Sequence, residues 1–166
     1  MTRWLLITVA ALGGLAVLGI AAGRLGLLAG SPPPDLGVRD GKLKAPSTRP
    51  NSVSSQTALW PGHPRAAYAQ IAPLALVGGG GPATLAKIRQ LVENTPGARV
   101  VQGEGDYLRC EFSTPLMRYT DDVEFWFDPA AQVVQVRSAS RLGYSDRGAN
   151  RARVEALRQQ LSQAGG

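Results

Sequence analysis

Alternation of apolar and polar residues in the second half of the chain constrains the fold more than any other feature. Three segments, 107–114, 121–128 and 132–141, show it one after another. The residues on one side of these segments are Leu108, Cys110 and Phe112, then Val123, Phe125 and Phe127, then Val134, Val136 and Ser138. Because successive side chains of a strand point to opposite faces, the pattern predicts a half-buried antiparallel sheet.

Two amphipathic helices flank these strands, and a fourth candidate strand, 98–102, precedes them. The first helix follows Pro82, which suits a first helical turn, and the second begins at the N-capping pair Ser145-Asp146. Their apolar stripes, at helical spacing, are Leu85, Ile88 and Val92, and Val154, Leu157 and Leu161. We therefore expect an α+β fold, a four-stranded antiparallel sheet with two helices packed on one face, preceded by an N-terminal transmembrane helix.

The other face of the predicted sheet is polar and ionic. Its members are Arg109, Glu111, Asp122, Glu124, Trp126, Gln135 and Arg137. With both helices on the apolar face, we expect these side chains to be displayed to solvent, where they could form a contact surface.

The N-terminus contains an uncharged apolar run from Trp4 to Ala22. About 20 apolar residues span a bilayer as a helix, whereas the apolar centre of a secretory signal is shorter. Length therefore favours an uncleaved anchor, although small residues at 21–23 leave a cleaved signal open.

The orientation of this segment has two interpretations. Cations are more numerous after it than before it, which under the positive-inside rule favours a cytoplasmic domain. A short tail and an apolar helix followed by a whole domain are instead typical of exported proteins. We expect a single-pass protein of the inner (cytoplasmic) membrane, its soluble domain on the periplasmic or exported side.

The chain divides into three parts. Residues 1–29 form the anchor or signal, and 30–45 are a Pro/Gly-rich linker that we expect to be a spacer. Residues 46–166 form the domain, in which the hydroxyl-rich segment 51–56 is expected to be a loop. The four glycines at 78–81 lack the Gly-Lys-Ser/Thr ending of a phosphate loop and predict a turn.

Three stretches of this domain carry a family resemblance: PSTRPNSVSSQ (46–56), DDVEFWFD (121–128) and VRSASRLGYSDRGANRARVE (136–155). Through them the chain resembles DUF1499, a domain of unknown function. Members of that family are typically small bacterial or plastid proteins, often exported or membrane-attached. The family often has a cysteine where this chain has Ser52, with another upstream, so any role of such a pair would be missing here. The resemblance implies domain limits and placement but no catalytic residue.

Arginines are concentrated near the start of the last helix, and they have two interpretations. Arg137, Arg141, Arg147 and Arg151 could form an anion site, since guanidinium groups and a helix N-terminus both attract phosphate or carboxylate. Alternatively, acids on the neighbouring strands could neutralise them; these acids are Glu111, Asp121, Asp122 and Glu124.

Other chemistries have weaker support. The acids of the polar face suit ion pairs better than a metal site, because a flat strand face rarely surrounds an ion. The isoelectric point near 10.1 would suit nucleic acid, but no recognition motif is present. The single histidine, His63, has no nucleophile motif beside it, and the lone Cys110 fits a buried, inert thiol. We expect no metal and no cofactor, and the sequence indicates no oligomeric state.

Asn150 falls on the apolar side of the last helix. A buried amide must be hydrogen-bonded, so we expect it to fasten the turn after residue 138 to the core. The segment around Asn51 and Ser54 is expected to dock on the same turn. These three are the predicted structural polar residues.

Two functions follow from these observations. The first is a non-enzymatic, membrane-anchored binding or scaffolding module of the cell envelope, with an unknown protein partner or ligand. The alternative is an enzyme or receptor for a small anionic ligand, bearing phosphate or carboxylate. In both, the candidate contact residues are Arg137, Ser138, Ser140, Arg141, Tyr144, Asp146 and Arg151.

Overall fold

A computed structural model describes residues 2–163 of the chain. Its helices are α1 (Thr2–Arg24), α2 (Ala66–Ala69), α3 (Gly81–Glu93) and α4 (Ala149–Gln163). Its strands are β1 (Ser52–Ser54), β2 (Ala98–Glu104), β3 (Tyr107–Ser113), β4 (Thr120–Asp128) and β5 (Val133–Ser140).

The sheet has five antiparallel strands in the order β1-β5-β4-β3-β2, so the predicted count of four was wrong. The additional strand is β1, which lies in the segment expected to be a loop. It pairs with the far side of β5, with Val53 opposite Ser138. Its sequence, Ser-Val-Ser, alternates polar and apolar residues, but three residues are too few to establish a strand period.

Helices α3 and α4 cover one face of the sheet, as the alternation predicted. The core between them contains the expected apolar side chains, with Ile88, Val123, Phe125 and Val154 fully buried. Cys110 is also buried there, and burial raises the pKa of its thiol to about 12. The thiol is therefore protonated at neutral pH, which agrees with an inert core residue.

Helix α4 begins three residues later than its capping pair indicated. Arg147 and Gly148 adopt positive φ angles of 52° and 85°, which the helix cannot contain. Asp146 still fulfils a capping role, because its carboxylate accepts hydrogen bonds from the backbone N–H groups of Gly148 and Asn150.

The polar face of the sheet is covered by the chain itself. Gly37 donates its backbone N–H to Glu124 Oε1 at 2.7 Å, and Arg137 Nε donates to the Ala45 carbonyl at 3.3 Å. Leu43, only 1% exposed, anchors this cover, and its N–H bonds to the Gln56 side chain. The segment 30–45, expected to be a spacer, instead lies against the sheet.

The end of α1 contacts the turn between β3 and β4. A side chain added at Gly23 would meet the Met117 carbonyl oxygen at 2.4 Å, and the Met117 side chain reaches back to Gly19. Glycine at these two positions permits this close approach. The contact places the β3–β4 turn beside the last turn of the apolar helix.

Candidate functional site

The polar face contains a network of ion pairs that runs across the strands. Glu111 and Asp122 lie directly opposite each other on β3 and β4, which would be repulsive without a cation between them. Arg141 supplies it, binding Asp122 through two nitrogens at 2.8 Å and Glu111 at 2.5 Å. Two further ion pairs complete the network: Arg99 binds Glu111, and Arg109 binds Asp122.

A second, more deeply buried pair lies next to this network. Glu124 and Arg137 face each other in register on β4 and β5, with Arg137 Nη1 3.2 Å from Glu124 Oε2. Neither is more than 3% exposed, and the covering segment 30–45 contacts both through Gly37 and Ala45. The prediction that this face is displayed to solvent is wrong for most of its residues, because five of the seven are buried: Glu111, Asp122, Glu124, Gln135 and Arg137.

Burial and pairing shift the pKa values of three groups on this face, Tyr107, Glu111 and Arg141. Burial, followed by the charge of Glu124, raises the pKa of Tyr107 well above its ordinary value, so its hydroxyl donates to Glu124 Oε1 at 2.8 Å. Burial also acts to raise the pKa of Glu111, but hydrogen bonds from Arg141 and Arg99 outweigh it and lower that pKa. Hydrogen bonds to Asp122, against the opposing effect of burial, raise the pKa of Arg141. All these groups hold fixed protonation states at neutral pH.

Asn150 is the centre of a polar cluster on the opposite, helix-covered face. Its Nδ2 donates to the Asn51 carbonyl, Ser140 Oγ and Asp146 Oδ2, at 3.1, 3.0 and 2.8 Å. Its Oδ1 accepts from Ser138 Oγ at 2.5 Å. Asn150 therefore joins α4, β5 and the residue before β1, through the side chains of Ser138 and Ser140 and the backbone of Asn51.

The segment before β1 docks on the same turn, as expected. Asn51 Nδ2 donates to the Gly143 carbonyl at 3.0 Å, and the Ser140 backbone N–H donates to the Asn51 carbonyl at 3.0 Å. Ser54 is buried opposite Arg137, and its hydroxyl accepts from the Gln56 backbone N–H.

Asp146 links the turn to the short helix α2. Tyr68 donates its hydroxyl to the Asp146 carboxylate. Burial acts to raise the pKa of Asp146, but this hydrogen bond and those from the start of α4 hold the pKa below its usual value. Burial and the Asp146 charge raise the pKa of Tyr68, so it remains a donor.

The seven candidate contact residues are not brought into one site. Arg137 and Arg141 lie on the covered ionic face, whereas Ser138 and Ser140 face α4. Arg151 donates to the carbonyls of Tyr68 and Gln70. Tyr144 is 64% exposed and accepts from Arg65 Nη2 at 3.3 Å. Of the seven, it is the one mainly available to solvent.

The sequence patterns did not single out two arginines that form ion pairs in the structure, Arg153 and Arg99. Arg153 pairs with Asp121 and also donates to Ser138 and Asn150, and it therefore connects the Asn150 cluster to β4. Its position three residues after Asn150 was the available signal. Arg99 on β2 was missed as a partner of Glu111 because that strand shows little alternation.

A cavity of about 330 Å³ remains beneath the covering segment, bordered by Asp122, Arg137 and Arg141. The cations at its wall already have carboxylate partners, so it offers an anion little net positive charge. Within residues 2–163, no group of three or more His, Cys, Asp or Glu side chains is arranged to hold a metal ion. His63 Nε2 lies 3.0 Å from the Pro46 carbonyl oxygen, a contact that holds the start of the domain.

These features define a class of protein: an α+β domain with an ion-paired, self-covered sheet face, preceded by a helix long and apolar enough to cross a membrane. A signal sequence near the N-terminus would meet the same criterion for that helix. Residues 42–161 match the family model described as Protein of unknown function (DUF1499), and the chain belongs to this family. No curated protein and no solved structure matches it.

Proposed function

We propose that this protein is a membrane-anchored binding or scaffolding module of the cell envelope. The observation that carries the proposal is the pairing of its central arginines: Arg137 and Arg141 are bound to Glu124, Glu111 and Asp122 inside the fold. A receptor or enzyme for small anions needs cations free to meet the ligand. Here the same cations join strands, which is what a rigid platform requires.

The anchor is supported by α1. It has 23 residues, is uncharged from Trp4 to Gly23, and none of the 18-residue window that defines the candidate span is buried in the protein. Such an apolar surface is unfavourable in water and favourable in a bilayer. In this proposal the domain lies on the exported side of the inner membrane.

Fractionation of the full chain from a bacterial host tests the anchor and its orientation. The protein should stay in the membrane after alkaline carbonate extraction, with its N-terminus intact. Protease added to spheroplasts should digest the domain without lysis. Release into the soluble fraction, or protection of the domain until lysis, would contradict the anchor or its orientation respectively.

The ligand-binding alternative is tested with the same purified chain. A ligand that binds only the folded state stabilises it more as its concentration rises. We expect inorganic phosphate to leave the melting temperature unchanged, because Arg137 and Arg141 already have carboxylate partners. A concentration-dependent rise that disappears in Arg137→Gln would instead support the receptor or enzyme.

A further inference from the structure

A second cavity lies where α1 meets the domain. It has a volume of about 450 Å³ and opens between the last turn of α1 and the edge formed by β2, β3 and β4. Five charged residues line it: Arg24, Arg99, Arg118, Arg141 and Glu111. Four cations and one carboxylate give this cavity a positive balance.

Two of these arginines are not engaged within the described part of the chain. Arg99 and Arg141 share Glu111, which leaves them largely neutralised. Arg24 and Arg118 are both exposed, and neither side chain makes an ion pair or hydrogen bond with residues 2–163. They are the cations free to meet an anion in this cavity.

The position of the cavity relative to the membrane follows from the length of α1. A helix rises about 1.5 Å per residue, so the 20 residues from Trp4 to Gly23 span roughly 30 Å, the thickness of a hydrocarbon core. Trp4 would then lie at one interface and Arg24 at the other, as is typical of interfacial aromatic and cationic residues. Because Arg24 lines the cavity, its mouth would lie at the level of the lipid headgroups.

Exposed apolar side chains lie close in sequence to the residues that line the cavity. Leu25 and Leu27, on either side of the lining residue Gly26, are 76% and 70% exposed, and Leu116, two residues before Arg118, is 61% exposed. Such exposure is unusual for large apolar residues that only water would cover. Met117 lies beside the last turn of α1. Cations next to exposed apolar side chains match a phospholipid, whose headgroup and acyl chains need the two environments.

We propose that this cavity binds the phosphate-bearing headgroup of an anionic phospholipid, with Arg24 and Arg118 donating to its phosphate oxygens. The proposal rests on the membrane anchoring proposed above. It names a ligand for the binding module and assigns its recognition to Arg24 and Arg118, which are not part of the ion-pair network of the sheet face. Its net positive charge favours an anionic over a zwitterionic lipid.

The test is native mass spectrometry of the full chain in detergent micelles, titrated with phosphatidylglycerol or phosphatidylcholine. The wild type should retain one phosphatidylglycerol at concentrations where phosphatidylcholine is lost. Arg24→Gln with Arg118→Gln should weaken this binding by about tenfold or more, because each cation near an anionic headgroup contributes substantially to its attraction. The control with the same loss of charge is Arg49→Gln with Lys87→Gln, whose side chains lie outside the cavity, and it should bind like the wild type.

Each other outcome has a defined meaning. Equal retention of both lipids, or equal weakening by the control pair, would overturn the proposal in favour of unspecific attraction. Displacement of the lipid by equimolar glycerol 3-phosphate would show that the ligand is a soluble phosphate instead. Circular dichroism of both double variants verifies folding, and Arg24→Lys with Arg118→Lys should restore most of the binding. A chain that stays in carbonate-washed membranes but shows no lipid preference would contradict the lipid-binding proposal and still support the membrane anchor.

Discussion

At the scale of single residues, buried polar groups hold the domain together. Asn150 uses both ends of its amide: Nδ2 lies within hydrogen-bond distance of three acceptors, and Oδ1 accepts from Ser138 and Arg153. Glu124 and Arg137 form an ion pair that is almost wholly removed from water. In both cases the partners come from different elements, so that removal of one side chain leaves a buried group unsatisfied.

Asn150→Leu should destabilise the domain by about 2–3 kcal/mol, because Ser138, Ser140 and the Asn51 carbonyl each lose a buried partner. Urea unfolding of the purified chain measures the change. Gln160→Leu, at an exposed position of the same helix, is the control and should change stability by less than about 0.5 kcal/mol. Equal stability of the two variants would contradict the role assigned to Asn150.

The Glu124–Arg137 pair should behave as a coupled unit. Arg137→Met alone should cost about 3–5 kcal/mol, because it leaves the Glu124 carboxylate buried without its cation. Adding Glu124→Leu should recover most of the loss, since an apolar pair of similar size avoids the desolvation of both charges. Simple additivity in a double-mutant cycle would indicate that the two charges are solvated and not coupled.

At the scale of elements, the sequence predicted what periodicity can encode. Alternation in three segments assigned their inward and outward faces, and the inward series forms the core. Periodicity could not reveal β1, which is only three residues long. It could not reveal the cover over the ionic face either, since Ala45 accepts and Gly37 donates through backbone atoms. Helix α4 also begins later than its capping pair indicated, because Arg147 has a positive φ angle that no pattern in the sequence predicted.

The cover is tested at Leu43, the side chain that anchors it. Leu43→Ala should destabilise the domain by about 2–5 kcal/mol, as for other fully buried leucines. Leu59→Ala, at a position 43% exposed, is the matched control and should cost clearly less. A negligible effect of Leu43→Ala would mean that residues 30–45 are a spacer after all.

At the scale of the whole molecule, charge is divided between two regions. The sheet face is internally neutralised, whereas unpaired arginines lie where α1 enters the domain. The candidate contact residues predicted from sequence belong to the first region, because sequence shows which residues share a strand but not which loop covers them. Arg24 and Arg118 are 94 positions apart, and only the contact of Gly23 with Met117 brings their regions together.

The acidic groups predict how the stability of the molecule depends on pH. Folding lowers the pKa values of Glu111 and Asp146 below their ordinary values of 4.5 and 3.8. Their stabilisation is therefore complete above those values and is lost as the pH falls through the lower values of the folded state. The urea midpoint should stay level down to about pH 5 and then decrease, and Glu111→Gln should make the decrease shallower. A midpoint that rises between pH 5 and pH 3 would refute this assignment.

The central claim is that the ionic face of the sheet is sealed by residues 30–45 and forms a structural core. Hydrogen–deuterium exchange of the full chain in lipid nanodiscs tests it most directly, at the amides of Gly37 and Leu43, which bond to Glu124 and Gln56. We expect both amides to be protected nearly as strongly as those of β4 and β5. Exchange at the rate of an unstructured peptide would show that the cover is open and the ionic face is accessible.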